Sequence, residues 1–273
     1  MNNFEKDYYE SDRFWDGEAI RDEGNLNRFR VTGALIPDDV ESLVDIGCGN
    51  GLFVNYMKTY RPELKLLAVD RSKTALKFVK TEKIEGDIIS IPLSDHSYDC
   101  VSCLEVIEHL PVNVFKEALA ELSRVANKYV LISVPYAEEL EDNHTQCPQC
   151  KSIFNADLHM RNFSDIKMQH LLSSNGFECV GTKKEGERVS FKGHNRYIRI
   201  FYPNHVRQWR SPICPICGFQ GDERLETNMQ NNRDSGKVSN ANRSFMSYFS
   251  WLPKLFWPKE KKYYWIICLY KRT

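Results

Sequence analysis

Residues Leu43 to Gly51 read LVDIGCGNG. An apolar run that meets glycine at 47, 49 and 51 cannot continue as a strand or helix interior, where each glycine costs backbone entropy. It can be a strand that ends in a tight loop and opens a helix. Such a loop turns backbone N–H groups toward a ligand that comes too close for a Cβ. The spacing from Asp45 is D-x-G-x-G-x-G, unlike the G-x-G-x-x-G of dinucleotide sites. A strand-to-helix turn without a ligand is the alternative reading of the same residues.

Working outward, apolar β-branched runs alternate with segments of helical period, the pattern of a parallel sheet covered by helices. ESLVDIG is the first strand and LFVNYMKTY the helix after the glycines. LKLLAVD is a second strand, KTALKFVKTE a helix, IEGDII a short third strand and SYDCVSCLEV a fourth. PVNVFKEALAELSRVA carries Val114, Leu119 and Leu122 at helical spacing, and KYVLISVPY is a fifth strand. The expected class is a doubly wound α/β domain. FSDIKMQHLLSSNGFECVGTKK returns to helix, Gly turn and strand, NRYIRIFYP is strand-like, and YYWIICLY closes the chain as a last strand.

The bulk numbers fit this reading. A chain of 273 residues, 42% hydrophobic and 27% charged, can bury one large core with insertions. The acidic, aromatic start MNNFEKDYYESDRFWDGE lacks the apolar stretch of a secretion signal, and no window approaches the ~18 apolar residues of a membrane span. The expected location is the cytoplasm. Zero net charge conceals a split: residues 1–182 carry 19 Lys+Arg and 30 Asp+Glu, residues 183–273 carry 18 and 7. The basic final third is either a surface for an anionic partner (phosphorylated substrate, nucleic acid or membrane) or a solvated face.

Asp70 ends the second strand about 20 residues after the loop, where a carboxylate can accept both hydroxyl hydrogens of a ribose. With VDIGCGNG, LLAVDRS, EGDIISIPLSDHSYDCVSCLEVIEHL and YVLISVPY in order, the chain resembles the class I S-adenosylmethionine-dependent methyltransferases over roughly residues 5–200 and the final strand. The resemblance implies a seven-stranded, mostly parallel Rossmann-like sheet. It also implies that Gly47, Cys48 and Gly49 pass against the methionine part of the cofactor, with Asp45 supporting the loop. Asp70 would bind the ribose and Arg71 lie by the adenine. Asp87 would take the adenine amino group, Ile88 flank the ring, and Leu104 and Glu105 line the site near the sulfonium. Tyr8, Tyr9, Phe14 and Trp15 are either an N-terminal cap over the cofactor or the packing face of a helix. His109 in EVIEHL is a candidate base or a cap residue near the cofactor, and His159 in HMRNF is the second catalytic candidate.

CPQC at 147–150 and CPIC at 214–217 are two C-P-x-C knuckles, and two such turns complete a four-sulfur zinc site. In a chain read as cytoplasmic, thiols or metal ligands are expected before disulfides. The favoured reading is one structural Zn²⁺ on Cys147, Cys150, Cys214 and Cys217, although over sixty residues separate the pairs. Separate sites using His144 or His159, or redox pairs, are the alternatives. Cys100 and Cys103 share the spacing but sit in an apolar strand that points them to opposite faces, so they read as packing residues, as do Cys48, Cys179 and Cys268.

The expected organisation is a cofactor-binding core with its aromatic cap over 1–136, a first knuckle insertion over 137–162 and a return to the core over 163–202. A second insertion over 203–262 carries the other knuckle, a polar linker and the aromatic basic segment, before the last strand at 263–273. Residues 244–262, SFMSYFSWLPKLFWPKEKK, are either a peripheral membrane contact or packing over the site. Insertions of this kind are similar to those of bacterial sugar methyltransferases, which implies a small-molecule or glycan acceptor, lipid- or nucleotide-linked forms included, in cell-surface polysaccharide assembly. RNA methylation through the basic third and a non-catalytic zinc scaffold are the rival readings.

Overall fold

The computed structural model describes residues 9–10, 15, 23–191, 213–219 and 258–273. Its contacts divide the chain into two compact units: residues 1–140, 158–187 and 263–273 form one, and residues 141–157 with 188–262 form the other.

The first unit is built on a seven-stranded sheet. Its strands are β1 (Ser42–Ile46), β2 (Lys65–Asp70), β3 (Glu82–Glu85), β4 (Tyr98–Leu104), β5 (Ala126–Pro135), β8 (Phe177–Glu185) and β11 (Trp265–Arg272), in the order β3-β2-β1-β4-β5-β11-β8. Neighbours from β3 to β5 pair in parallel, and β11 lies antiparallel to both β5 and β8. Strands buried on both faces read as near-continuous apolar runs, and the sequence supplies them, with Asp45, Ser102 and Ser133 as buried polar exceptions. Val44, Ile46, Val101, Cys103, Val130, Ile132, Ile266 and Cys268 face one core, while Leu43, Cys100, Leu131, Ile267 and Leu269 face the other. Helix α4 (Val112–Val125) covers the first core with Val114, Leu119 and Leu122. Helices α1 (Glu23–Gly33) and α2 (Leu52–Tyr60) cover the second with Phe29, Phe53, Val54 and Met57. Cys100 and Cys103 do face opposite cores, fully buried.

Two elements are shorter than the sequence predicts. The helix expected from Lys73 through Glu82 is α3 (Lys73–Leu76), because Val79 has to lie against Gly51 and the Lys80 N–H donates to Asn55 Oδ1 at 2.8 Å. The third strand is Glu82–Glu85, not IEGDII. Gly86 already packs between Pro92 and Val69, and Asp87 to Ser90 form a turn closed by Ser90 N–H to Asp87 O at 3.0 Å. The helix after residue 163 is α5 (Asp165–Gln169), followed by a 3-10 turn at Ser173–Asn175 that ends at Gly176 with φ of 77°. Helix α1 was not anticipated: of its side chains Phe29 is the single deeply buried aromatic, and its polar composition carries little period.

The second unit contains two small antiparallel ribbons, β6 (His144–Gln146) with β7 (Ile153–Asn155) and β9 (Arg188–Phe191) with β10 (Lys259–Lys262). Lys259, Lys261 and Lys262, the basic end of residues 244–262, therefore sit in a strand. Residues 244–257 and NRYIRIFYP lie outside the described residues. Among the described residues no helix is long and apolar enough to cross a membrane.

Candidate functional site

In a doubly wound sheet ligands bind beyond the carboxyl ends of the strands, where the strand order reverses. Here that point lies between β1 and β4, and LVDIGCGNG ends β1 there. Gly47 and Gly49 adopt φ of 71° and 53°, in the left-handed region that side chains disfavour. A Cβ on Gly47 would stand 2.6 Å from Val106, and one on Gly49 would stand 2.6 Å from the Trp15 ring. The N–H groups of Gly47 and Cys48 donate to Val69 O at 2.8 and 3.1 Å, which fixes the loop to the end of β2.

Two carboxylates lie buried under this loop. Asp70 accepts from Gly49 N–H at 2.7 Å through Oδ2 and from Ser72 N–H at 2.8 Å through Oδ1. A carboxylate has about four acceptor sites, so these two N–H bonds do not exhaust its capacity for a ligand hydroxyl. Asp45 accepts from Ser102 Oγ at 2.7 Å. Burial pushes Asp45 up to about 7 and, against the backbone N–H bonds of Ser72, Gly49 and Arg71, also raises Asp70. A pair of desolvated carboxyls suits a ligand that brings positive charge and ribose hydroxyls. The residues present thus fit S-adenosylmethionine. Burial raises the Cys48 thiol well above its ordinary value, so it is an inert wall of the loop. Asp87, half-buried, holds Ile89 N–H at 3.2 Å, and Ile88 packs against the core at the same edge.

Tyr9 and Trp15 meet this site from the N-terminal segment. The Arg71 guanidinium lies 5.2 Å over the Tyr9 ring, Tyr9 O accepts from Ser72 Oγ at 2.8 Å and Trp15 Nε1 at 2.5 Å, and Glu10 takes the N–H groups of Lys73 and Thr74. Tyr8 and Phe14 lie outside the described residues.

β4 ends at Leu104, half-buried against the second core, and Glu105 follows in the left-handed region at φ 58°. Four contacts hold Glu105 there: its N–H on Ser133 O at 2.9 Å, its carboxylate on Ser133 Oγ at 2.6 Å and Trp265 Nε1 at 2.9 Å, and Arg28 at 3.2 Å. Arg28 also lies over the rings of Phe29 and Trp265. Glu108 is 1% exposed, and among the described residues neither of its oxygens meets a hydrogen-bond donor. Burial, reinforced by the Glu105 charge, holds its carboxyl well above the usual carboxylate range. His109 follows, its ring centroid 4.8 Å from that of His159 and 6.5 Å from Tyr9. Burial and then the His159 neighbour pull His109 down to about 3, which leaves it a poor proton acceptor at neutral pH. Glu138 Oε2 stands 2.5 Å from His159 Nδ1. Sequence reasoning singled out His109, His159 and Glu105 but missed Glu108, Glu138, Arg28 and Trp265. Glu108 alone had a signal, standing next to a flagged histidine in EVIEHL.

The second unit gathers all four knuckle cysteines. Cys147 Sγ is 3.7 Å from Cys217 Sγ, Cys150 Sγ is 3.7 Å from Cys214 Sγ, and the four sulfurs lie within 4.8 Å of one another. The gaps are far beyond a disulfide bond of ~2.05 Å. Each knuckle closes on itself: Lys151 N–H donates to Cys147 O, and Gly218 N–H, at φ 71°, donates to Cys214 O. Among the described residues the group that gathers around these sulfurs consists of the four cysteines.

Residues 44–132 match a methyltransferase domain family. An uncharacterized protein of Methanocaldococcus jannaschii is 38% identical over 145 residues, 52% of this chain and 54% of that protein. The ubiquinone biosynthesis O-methyltransferase of Alkalilimnicola ehrlichii is 30% identical over 113 residues, 36% of this chain and 45% of that one. The chain thus spans about half the length of these curated relatives. Among solved structures, an S-adenosylmethionine-dependent methyltransferase of Thermotoga maritima covers 100% of both chains with a TM-score of 0.54 at 17% identity. At that identity the likeness speaks for the fold.

Asp45 sets a pH test. Its folded value of about 7 lies above its ordinary 3.8, so its stability contribution is complete below pH ~4 and is lost as pH rises to 7. Asp45→Asn, which keeps an acceptor for Ser102, removes that loss. Thermal unfolding of the cofactor-free proteins should coincide near pH 4 and favour the variant by on the order of 2–4 kcal/mol at pH 8.

Proposed function

From a chain that belongs to the class I S-adenosylmethionine-dependent methyltransferase family, we propose an enzyme that O-methylates a hydroxyl of a sugar or glycan-type acceptor. The observation that carries the reading is the glycine loop tied by its own N–H to a buried carboxylate at the strand-order reversal. Bound there, S-adenosylmethionine supplies a methyl group already activated by a positive sulfur.

The chain's residues do the rest. Gly47, Cys48 and Gly49 admit the ligand to the backbone, Asp45 keeps the loop in place, and Asp70 accepts the ribose hydroxyls. Arg71, Asp87 and Ile88 hold the adenine, while Leu104 and Glu105 line the reacting end. Tyr9 and Trp15 exclude water, and excluding water and fixing geometry are where most of the rate of an in-line transfer arises. His109 and His159 form the catalytic corner that the acceptor enters. The acceptor class rests on the family resemblance and on a second unit built from insertions, where specificity resides in such folds.

We assign that second unit a single structural zinc on Cys147, Cys150, Cys214 and Cys217. Four thiolates ~2.3 Å from one tetrahedral ion stand ~3.8 Å apart, close to the 3.7 Å seen for both cross-knuckle pairs. Such a site is closed, so it organises the unit and takes no part in the chemistry.

Asp70→Ala removes the ribose acceptor and the loop tie together, and equilibrium dialysis should find S-adenosylhomocysteine bound at least tenfold more weakly than by the wild type. Transfer of a labelled methyl group to a panel of nucleotide sugars and oligosaccharides tests the acceptor; labelling of RNA alone would replace it. Cys214→Ser should lower zinc, measured by plasma emission, from one per chain to a small fraction and destabilise the second unit. A variant that keeps its zinc argues against the shared site.

A further inference from the structure

We propose that Glu108, His109 and His159 form a divalent-cation site beside the glycine loop, one that binds and ionises the acceptor hydroxyl. The inference rests on the methyltransferase reading of the loop and deepens it, replacing a general base with a metal.

The first observation is geometric. One ligand atom from each of the three residues lies within 4.8 Å of the others. An ion ~2.1 Å from each ligand would set them ~3–4 Å apart, a small inward closure. The second is an imbalance inside the core. Glu108 is 1% exposed with both oxygens unpartnered, and His109 Nδ1 is buried and unpartnered too, among the described residues. Buried polar atoms without partners are costly, and here they belong to two of the three residues whose ligand atoms gather within 4.8 Å, as an ion's ligands would.

The surrounding contacts are those of a prepared metal site. Ligating imidazoles as a rule hold a carboxylate or a carbonyl on the nitrogen away from the metal. Glu138 occupies His159 Nδ1 at 2.5 Å, so a cation would be met by Nε2, and His109 carries a hydrogen bond to the Leu158 backbone. The two segments are joined by Met160 N–H to Glu108 O at 2.9 Å. Leu158 and Glu105, flanking the cluster, are both held at φ near +60° (59° and 58°), strain that the local contacts sustain.

Two imidazoles and one carboxylate suit a borderline ion such as Zn²⁺ or Fe²⁺ and also accept the harder Mn²⁺, and three protein ligands leave positions open. This contrasts with the closed, soft cysteine site. The cluster borders the cofactor loop: Val106 packs on Gly47, and His109 sits edge-on to Tyr9, the ring beneath Arg71. A hydroxyl at an open position would lose its proton to solvent water, because a bound divalent ion lowers the pKa of the oxygen it holds. That oxygen's lone pair then forms the bond to the methyl carbon while the carbon–sulfur bond breaks and its electron pair neutralises the sulfonium.

Mn²⁺ disfavours thiolates, so it probes this site in the zinc-loaded full chain. Titration followed by electron paramagnetic resonance should show one Mn²⁺ bound per chain. Glu108→Gln should bind it at least tenfold more weakly with an unchanged melting temperature, since a neutral amide replaces a buried carboxyl; His109→Asn is the second variant should the first unfold. No Mn²⁺ binding by the wild type, or equal binding by a folded Glu108→Gln, overturns the proposal. Calorimetry with S-adenosylhomocysteine on the same samples separates the two readings. Cofactor binding without Mn²⁺ binding removes the cation site and leaves the methyltransferase reading intact; Mn²⁺ binding without cofactor binding does the reverse.

Discussion

The rest of the site hangs on Asp70. Its two carboxylate oxygens take the N–H groups of Gly49 and Ser72, so one side chain at the end of β2 fixes both the glycine loop of β1 and the start of α3. Ser72 Oγ in turn caps α3 through Ala75 N–H and donates to Tyr9 O, which brings the N-terminal aromatics to the loop. A carboxylate so placed is held away from water, and desolvation raises it and Asp45 alike. The protein therefore keeps two uncomfortable acids beneath a backbone that only glycine can follow. That combination has little use in a turn that merely connects a strand to a helix. A ligand carrying positive charge relieves it.

Much of the fold was legible because its signal is local. Strands buried on both faces read as unbroken apolar runs, and β1, β2, β4, β5 and β11 follow such runs closely. Val114, Leu119 and Leu122 mark the buried face of α4 by spacing alone. The failures are where tertiary contact decides. β3 is charged, exposed in part and set by pairing to β2, so EKIE carried no strand pattern. Helix α3 stops after four residues because Val79 is needed against Gly51, a contact between residues 28 positions apart that no window sees. Helix α1 has Phe29 as its one deeply buried apolar side chain, with Val31 half-buried, Leu26 exposed and the rest mostly polar, which a periodicity reading passes over.

The site divides along the same line. The glycines, Asp45 and Asp70 were legible since each must occupy a fixed place relative to a strand end. Arg28, Trp265 and Glu138 were not, because they reach the site from the first helix, the last strand and the segment after β5. Their roles are to orient Glu105 and His159, and orientation by a distant carboxylate or guanidinium leaves no mark on local sequence. His109 was found by its position after β4, but its character was not: a histidine drawn down to about 3, beside a buried glutamate that meets no hydrogen-bond donor among the described residues, differs chemically from the candidate base read from EVIEHL. The knuckle cysteines were the opposite case, where spacing predicted the turns and the structure brought the four sulfurs together.

Calorimetric titration of the purified, zinc-loaded protein with S-adenosylhomocysteine, at low and high salt, tests the central claim most directly. The account predicts one site per chain with micromolar affinity and little salt dependence, since the contacts lie at a buried carboxylate and backbone rather than on a charged surface. A flat trace from a folded protein would contradict it, and the glycines of LVDIGCGNG would then serve the turn alone.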